Sequence, residues 1–315
     1  MTITILLFVL GIGLLYIGAE VLVSSASGLA LRVGIRPLII GFTIIAMGTS
    51  SPELAVSLLS AIKGTKDIAL GNIIGSNIAN IGLVIGVAAV IRPLTIQVNT
   101  IRREMPYLIA ATGIFYLLSL DGVMGFFDGL VLFGGFIIFI VYMIRLAQKD
   151  RQKDKEFFDG IGTKKKGRPI TIQIILIIFG LAGLIGGSTL MVNSSKIIAL
   201  NLGISEIVIG ITLVALGTSL PELAISSVGA LKGEVDLAVG NAIGSNLFNI
   251  LFVIAIVSMV YPIPVEGGLL KFEYLFMLGL SIIFLPMMIK NLRITRLEGI
   301  FLILLYVVFI LLTFK

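Results

Sequence analysis

The strongest constraint on the fold of this chain is an internal repeat. Residues 41–64 read GFTIIAMGTSSPELAVSLLSAIKG, and residues 210–233 read GITLVALGTSLPELAISSVGALKG. The similarity continues without a gap from TKDIALGNIIGSNIANI at 65–81 to EVDLAVGNAIGSNLFNI at 234–250. Across the 41 aligned positions 24 are identical, always at an offset of 169 residues. Self-similarity of this kind indicates a fold built from two copies of one structural unit.

The composition places both copies in a membrane. Hydrophobic residues make up 58% of the 315 residues, charged residues make up 13%, and the mean hydropathy is +1.15. A soluble protein of this size cannot cover so much apolar surface, and a nucleic-acid-binding protein is excluded on the same ground. A helix that spans a bilayer needs about 20 apolar residues. Ten such runs are present, at 3–31, 36–62, 68–91, 103–120, 123–146, 170–199, 205–231, 237–260, 272–289 and 294–314. The sequence therefore predicts an all-α integral membrane protein with ten transmembrane helices.

The repeat offset contains five of these runs. Because an odd number of crossings reverses the direction of the second copy, we predict two inverted five-helix repeats, related by a pseudo-two-fold axis in the membrane plane. The first repeat covers 1–146, a linker covers 147–169, and the second repeat covers 170–315. In transporters of this architecture the substrate site lies near the bilayer midplane, where interrupted helices of both halves meet.

Positive charge predicts the orientation of the chain. Cytoplasmic loops of membrane proteins carry an excess of Lys and Arg. Basic residues cluster at 32–36, 92–103 and 290–296, and the longest connection, 147–169, alone holds eight Lys and Arg. We therefore predict a cell-membrane protein with this segment in the cytoplasm and both termini outside the cell. The segment is interpreted as a solvated linker, and a lipid-binding or regulatory tether is the alternative.

Two absent residue types limit the chemistry. The chain has no Cys and no His, so it lacks thiolate nucleophiles, the commonest zinc ligand and the commonest general base. The remaining ligands are carboxylate, amide, hydroxyl and carbonyl oxygens, which suit hard ions such as Ca²⁺ and Na⁺. We expect neither a cofactor nor enzymatic activity.

Each copy of the repeat places one Glu in the middle of an apolar run, Glu53 in the second and Glu222 in the seventh. An ionisable residue at membrane depth is costly and by default marks a functional site. The sequence offers no Lys or Arg near mid-span to neutralise either one. A bound cation would offset both the free-energy cost of burying the two carboxylates and their mutual repulsion. This interpretation is preferred over a structural salt bridge.

Neighbouring positions add further oxygen atoms. The spacing i, i+3, i+4, i+7 places on one helix face Ala46, Thr49, Ser50 and Glu53, and again Ala215, Thr218, Ser219 and Glu222. Pro52 and Pro221 precede the glutamates and leave the carbonyls of Gly48 and Gly217 without a helical donor. At membrane depth such carbonyls need another partner, and a bound cation coordinated by the carbonyl oxygens would satisfy this need.

The block GNxxGSNxxN follows on the next run of each copy. Ser76 and Asn80 are spaced i, i+4, as are Ser245 and Asn249, so each pair shares a helix face. The glycines are interpreted as sites of close helix packing. The other asparagines, at 72, 77, 241 and 246, are expected to cap or bridge helices outside the direct ligand set.

These motifs resemble those of a known family. GTSSPE at 48–53 and GTSLPE at 217–222, each followed by GNxxGSNxxN, resemble the two α-repeats of the sodium/calcium exchanger branch of the calcium/cation antiporter superfamily. The α-repeats correspond to 41–81 and 210–250, and the resemblance covers essentially the whole chain. It implies as ion ligands Glu53, Glu222, Thr49, Ser50, Ser76, Asn80, Thr218, Ser219, Ser245 and Asn249, with backbone oxygens at Ala46 and Ala215.

The resemblance also implies a function. It implies a secondary antiporter that exchanges sodium for calcium, three Na⁺ per Ca²⁺, while the long first and sixth helices slide across a fixed core. Potassium-dependent members carry Asp at the position of Asn249. We expect a monomer in the lipid bilayer whose ions are transported substrates. A calcium or other cation/proton antiporter on the same scaffold is the alternative, and the inverted repeat argues against a channel.

Overall fold

The structure is a computed structural model that describes residues 2–64, 66–153, 168–201, 216–265 and 267–313. The first half contains α1 Thr2–Val33, α2 Pro37–Ile40, π1 Gly41–Ile45, α3 Ala46–Thr49, α4 Ser51–Ile62, α5 Lys66–Ala79, π2 Asn80–Ile85, α6 Gly86–Ile91, π3 Thr100–Glu104, α7 Met105–Leu118 and α8 Phe126–Lys153. The second half contains α9 Ile170–Asn201, α10 Leu220–Lys232, α11 Val235–Phe248, π4 Asn249–Val253, α12 Ile254–Val260, α13 Gly267–Lys271, α14 Glu273–Ile289, a 3-10 helix Lys290–Leu292 and α15 Arg296–Thr313.

Most of the predicted runs form long apolar helices. The described residues include seven that are long and apolar enough to cross a bilayer: Thr2–Val33, Pro37–Ile62, Ala69–Ile91, Phe126–Lys149, Ile170–Ile198, Val235–Val260 and Arg296–Thr313. Of the other three runs, 103–120 contains α7, 272–289 contains the 17-residue α14, and 205–231 is described only from residue 216. The prediction of a helical membrane protein is confirmed. Helix α8 extends into the predicted linker as far as Lys153, and linker residues 154–167 lie outside the described residues.

The helices that carry the GNxxGSNxxN blocks lie at the centre of the bundle. In the most apolar part of Ala69–Ile91 and of Val235–Val260, 78% of the residues are buried, against 17% for Phe126–Lys149. The peripheral helix α8 therefore directs apolar side chains toward lipid. The two central helices provide the rigid support for the site described below.

Helices α1 and α9 pack against each other in antiparallel orientation. Gly11 contacts Gly187 and Gly18 contacts Gly180, so closely that a Cβ atom on any of the four would lie 2.8–2.9 Å from a carbonyl oxygen of the partner helix. The offset of 169 relates Gly11 to Gly180 and Gly18 to Gly187. The contact is therefore symmetric between the two halves of the chain.

Two short β-ladders join the halves, a feature that the all-α prediction did not include. Strand β1 (Leu94–Thr95) pairs antiparallel with β4 (Arg293–Ile294), and β2 (Val123–Met124) pairs with β3 (Ile263–Pro264). A shift of 169 residues converts β1 into β3 and brings β2 to 292–293, one residue before β4. The repeat offset therefore exchanges the two ladders to within one residue. A two-residue strand is too short to produce a periodic signal in sequence.

Polar contacts connect α1 to the junction between α10 and α11. Lys232 Nζ lies 2.6 Å from Ser24 Oγ and 3.2 Å from Glu20 Oε1. The Ser27 hydroxyl donates a hydrogen bond of 2.8 Å to Glu234 Oε1. Glu20, Ser24 and Ser27 follow the i, i+4, i+7 spacing of one helix face. One stripe of α1 therefore contacts the junction between α10 and α11 through polar groups.

Candidate ion-binding site

The site forms where the second and seventh apolar runs break. Ser50 has φ −82° and ψ 6°, and Ser219 has φ −87° and ψ 2°, so neither residue continues the helix before it. Pro52 and Pro221 follow as the second residues of α4 and α10. Because proline has no N–H to donate, each run restarts as a new helix at this point. The break that the prolines predict is present in both copies.

Both central glutamates lie inside the bundle. The side chains of Glu53 and Glu222 have no exposed surface. In the described part of the chain, neither forms an ion pair with Lys or Arg, and the two carboxylates repel each other electrostatically. Two buried like charges without a counter-ion are strongly unfavourable, so the arrangement is suited to a bound cation.

Glu53 is surrounded by hydroxyls of both repeats. Ser76 on α5 and Thr218 of the second repeat lie beside its carboxylate, and their own oxygen atoms are 3.4 Å apart. Neither carboxylate oxygen of Glu53 has a hydrogen-bond partner among the described residues. Two hydroxyls that contact each other thus lie beside a carboxylate whose own oxygen atoms have no partner in the described part of the chain.

Glu222 has similar surroundings with the repeats exchanged, except that the contact of Ser50 has no counterpart from Ser219 among the described residues. Thr49 and Ser50 of the first repeat and Ser245 on α11 lie beside its carboxylate. The Ser50 hydroxyl donates to Glu222 Oε1 at 3.3 Å, and Thr49 Oγ1 lies 3.3 Å from Ser245 Oγ. A threonine of the opposite repeat therefore lies beside the carboxylate of each glutamate.

Asn80 and Asn249 each open a π-helical segment, π2 and π4. Single π turns are frequent at functional sites because they rotate side chains out of the α-helical register. The two amides differ in their partners. Asn80 Nδ2 donates to Asn246 Oδ1 at 3.0 Å, whereas both polar atoms of Asn249 lack a partner in the residues described.

Unsatisfied polar atoms concentrate on the predicted ligands. Among the described residues, twelve buried side-chain N or O atoms lack a hydrogen-bond partner. Seven of the twelve belong to predicted ligands, namely Glu53 (two), Glu222, Asn80, Ser219 and Asn249 (two). Buried polar groups in folded proteins are normally paired, so this concentration indicates the position of a ligand.

Two of the backbone carbonyls that were expected to bind an ion already accept hydrogen bonds from the protein. The Ala46 carbonyl accepts from the Ser50 N–H at 2.9 Å and from the Thr49 hydroxyl at 3.3 Å. Ala215 lies outside the described residues. The Gly217 carbonyl, which the proline leaves free, accepts from the Ser188 hydroxyl of α9 at 2.6 Å. A serine thus fills a role that the sequence interpretation left to an ion.

The sequence interpretation missed Ser188. Its equivalent in the first repeat is Ala19, so the repeat contains no signal for it.

The asparagines at 72 and 241 were expected to bridge helices, and both do so next to the site. Their occurrence at the repeat offset was the signal that pointed to them.

A cavity of about 500 Å³ reaches the site from one side. It lies between α4 and α9, and its wall includes Pro52, Val56, Ser188, Gly217 and Thr218. Thr218 is therefore both a wall of this cavity and a neighbour of Glu53. Thr218 therefore separates this cavity from the buried carboxylate of Glu53.

The family follows from a comparison over both halves. A protein-family model described as "Sodium/calcium exchanger protein" matches residues 3–145 and 172–315. The chain belongs to the sodium/calcium exchanger family. This exchanger is therefore a multi-pass membrane protein of a transporter family, not an enzyme family, and a cation/calcium antiporter.

Individual relatives extend over nearly the whole exchanger. The putative antiporter CaxA of Alkalimonas amylolytica is 39% identical over 297 residues, 93% of each chain. The sodium/calcium exchanger MaX1 of Methanosarcina acetivorans is 30% identical and aligns over 99% of each chain. A solved structure of the sodium-calcium exchanger NCX_Mj, soaked with 100 mM Na⁺ and 10 mM Sr²⁺, is 31% identical with a TM-score of 0.85 over 98% of both chains. The chain therefore has the fold of the solved exchangers.

Proposed function

We propose that this protein exchanges sodium for calcium by alternating access and expels calcium with inward sodium flux. The observation that carries the proposal is the set of buried polar atoms without a partner among the described residues, on Glu53, Glu222, Asn80, Ser219 and Asn249. Calcium takes six to eight oxygen ligands in flexible geometry, and sodium is of similar size. Both the family and the sodium/calcium exchangers among its relatives support these two substrates.

The proposed ligand set has members from both repeats. It comprises Glu53, Glu222, Thr49, Ser50, Ser76, Asn80, Thr218, Ser219, Ser245 and Asn249, with the backbone oxygens of Ala46 and Ala215. In the described part of the chain, no cluster of three or more acidic, His or Cys side chains is present. The negative charge of this site therefore comes from two carboxylates, and neutral oxygens provide the remaining ligands.

The charge of the site bears on the stoichiometry. Two carboxylates are neutralised by one Ca²⁺ or by two Na⁺. Ser50 with Ser76, and Ser219 with Ser245, offer oxygen atoms on either side of the glutamate pair for a third Na⁺. We propose three sodium ions per calcium ion, so that one net positive charge moves with the sodium in each cycle.

The proposal includes the ten-span inverted architecture, with repeats at 1–146 and 170–315. Support comes from the antiparallel contact of α1 with α9 and from the two β-ladders, which the repeat offset exchanges to within one residue. Both termini are placed outside the cell and the 147–169 linker in the cytoplasm, on the basis of charge. The unit of function is proposed to be the monomer, because both glutamates come from one chain.

Calcium uptake into proteoliposomes loaded with sodium, potassium or acid tests the function. We expect rapid uptake only when sodium leaves the vesicle. Uptake that requires a proton gradient and ignores sodium would instead establish a cation/proton antiporter. Uptake down a calcium gradient without any counter-ion would indicate a channel.

A further inference from the structure

The side chain of Asn72 links the backbone of one glutamate to a threonine of the opposite repeat. It is 4% exposed and lies on α5. Its Nδ2 donates to the Glu53 carbonyl at 3.3 Å and to Ser57 Oγ at 3.1 Å. Its Oδ1 accepts from the Thr218 hydroxyl at 3.3 Å. One amide thus contacts α4 and the helix break of the second repeat together.

Asn241 makes the same contacts with the repeats exchanged. Its Nδ2 donates to the Glu222 carbonyl at 3.5 Å and to Ser226 Oγ at 3.4 Å. Its Oδ1 accepts from the Thr49 hydroxyl at 3.2 Å. Asn72 and Asn241 are equivalent positions of the internal repeat, and both are buried. The same hydrogen-bond pattern in both halves indicates a common function.

The direction of these hydrogen bonds is determined by groups that can only accept. Ser57 donates to the Ala69 carbonyl at 3.4 Å, and Ser226 donates to the Ala238 carbonyl at 3.2 Å. Each serine therefore presents a lone pair to the asparagine NH₂ group, which directs the amide oxygen toward the threonine. An amide oxygen cannot donate, so the threonine hydroxyl is the donor in that contact.

This orientation matters for cation binding. A hydroxyl has one hydrogen and two lone pairs, and only a lone pair can coordinate a cation. When the hydrogen of Thr218 points to Asn72, its oxygen presents lone pairs and no hydrogen to the side where Ser76 and Glu53 lie. A hydrogen that pointed into the site would repel the ion.

We propose, on the basis of the proposed function, that Asn72 and Asn241 are positioning residues for ion binding. Each fixes the backbone of the glutamate in its own repeat and orients the hydroxyl of the threonine in the other repeat as a lone-pair ligand. Neither asparagine contacts the ion itself. In the first repeat the Ala46 carbonyl, 3.3 Å from Thr49 Oγ1, shares the threonine hydrogen with Asn241.

A double-mutant cycle tests the orientation of Thr218 by Asn72. Asn72→Leu keeps the number and branching of the side-chain heavy atoms and removes the amide. We expect it to raise the apparent KM for calcium about tenfold, the equivalent of one hydrogen bond to the site. In a Thr218→Val background, which has no hydroxyl to orient, the same substitution should raise KM less than threefold. In a Thr218→Ser background, which retains the hydroxyl, the full effect should return.

Asn77→Leu is the matched control. Asn77 lies on the same helix, is 1% exposed, and donates to the Ile73 carbonyl of its own helix at 2.7 Å. We expect its replacement to leave the calcium KM within twofold of wild type. Asn241→Leu with Thr49→Val repeats the cycle in the other half. If the Asn72 variants do not fold, this second cycle tests whether the asparagine orients the threonine hydroxyl.

Two outcomes overturn the inference. One is an unchanged calcium KM in the asparagine variants, and the other is an equal effect of Asn72→Leu with and without the threonine hydroxyl. Either outcome in an exchanger whose wild type is active leaves the proposed function intact. A wild type that does not exchange calcium for sodium would overturn the proposed function instead.

Discussion

The hydroxyl of Ser50 donates a 3.3 Å hydrogen bond to Oε1 of Glu222, which lies 172 positions further along the chain. Ser50 belongs to the first repeat and Glu222 to the second. The contact requires both helix breaks to meet inside the bundle, where the two residues are 2% exposed or less. A single repeat therefore cannot complete the site.

Replacing either central carboxylate should stop exchange. Glu53→Gln and Glu222→Gln keep the shape of the side chain but remove charge from a dehydrated site, where the loss of a charged contact costs about 3 kcal/mol or more. We expect at least a roughly 100-fold fall in sodium-dependent calcium uptake, with normal gel-filtration profiles in detergent. Glu273→Gln, at the start of α14, is the control. Wild-type exchange by either variant would remove that residue from the site.

Asn80 and Asn249 should respond differently to the same substitution. Asn80→Asp places a carboxylate against Asn246 Oδ1, which now accepts from the Asn80 amide, so we expect lower stability and little transport. Asn249→Asp breaks no hydrogen bond within the described residues and adds a third carboxylate. We expect it to fold and to change the dependence on sodium, potassium or pH. Equal thermal stability of the two variants would contradict the difference in their contacts.

The contact between α1 and α9 should tolerate no added methyl group. A Cβ on Gly18 would lie 2.9 Å from the Gly180 oxygen, so we expect Gly18→Ala to destabilise the protein by about 1–3 kcal/mol through overpacking. Gly13 on the same helix has nothing in the described structure within 4 Å of its Cβ position. Gly13→Ala should therefore be neutral, or stabilising by up to about 1 kcal/mol. Thermal denaturation in detergent measures both, and equal melting temperatures would argue against close packing at Gly18.

Cysteine labelling should show opposite sides for two exposed helix ends. The native chain has no Cys, so Lys149→Cys at the end of α8 and Thr313→Cys at the end of α15 each provide one reactive thiol. In intact cells an impermeant reagent should label the second variant and not the first. Permeabilised cells provide the control, in which both should react. Labelling of Lys149→Cys from outside would reverse the orientation.

Exchange should respond to voltage. With three Na⁺ leaving per Ca²⁺ entering, one net charge crosses per cycle, worth about 2.3 kcal/mol per 100 mV or roughly fifty-fold in the calcium ratio at equilibrium. Vesicles loaded with sodium should take up calcium faster when a potassium–valinomycin potential makes the interior positive. Uptake whose rate and final level ignore the imposed potential would indicate two sodium ions per calcium.

The sequence predicted those features that arise within one helix and occur at equivalent positions of both repeats. Pro52 and Pro221 predicted the helix breaks because a proline acts on its own helix. The difference between Asn80 and Asn249 was not predictable, since Asn80 contacts Asn246 while the repeat-equivalent contact of Asn249 with Asn77 is not formed in the described structure. Gly11 and Gly187 are 176 residues apart, and a glycine carries no information about its partner. Ser188 was missed because its contact with Gly217 exists only in the second repeat.

The polar stripe of Glu20, Ser24 and Ser27 bears on the resting state of the exchanger. Lipid provides no hydrophobic force that favours one position of the α1–α9 pair over another. In the sliding motion that the family resemblance implies, the free-energy difference between positions then depends on few polar contacts, each worth about 1 kcal/mol. Losing one would change the ratio of the two populations about fivefold. A substitution at Lys232, remote from the glutamates, would thus change the fraction of ion-free protein whose site opens to each side of the membrane.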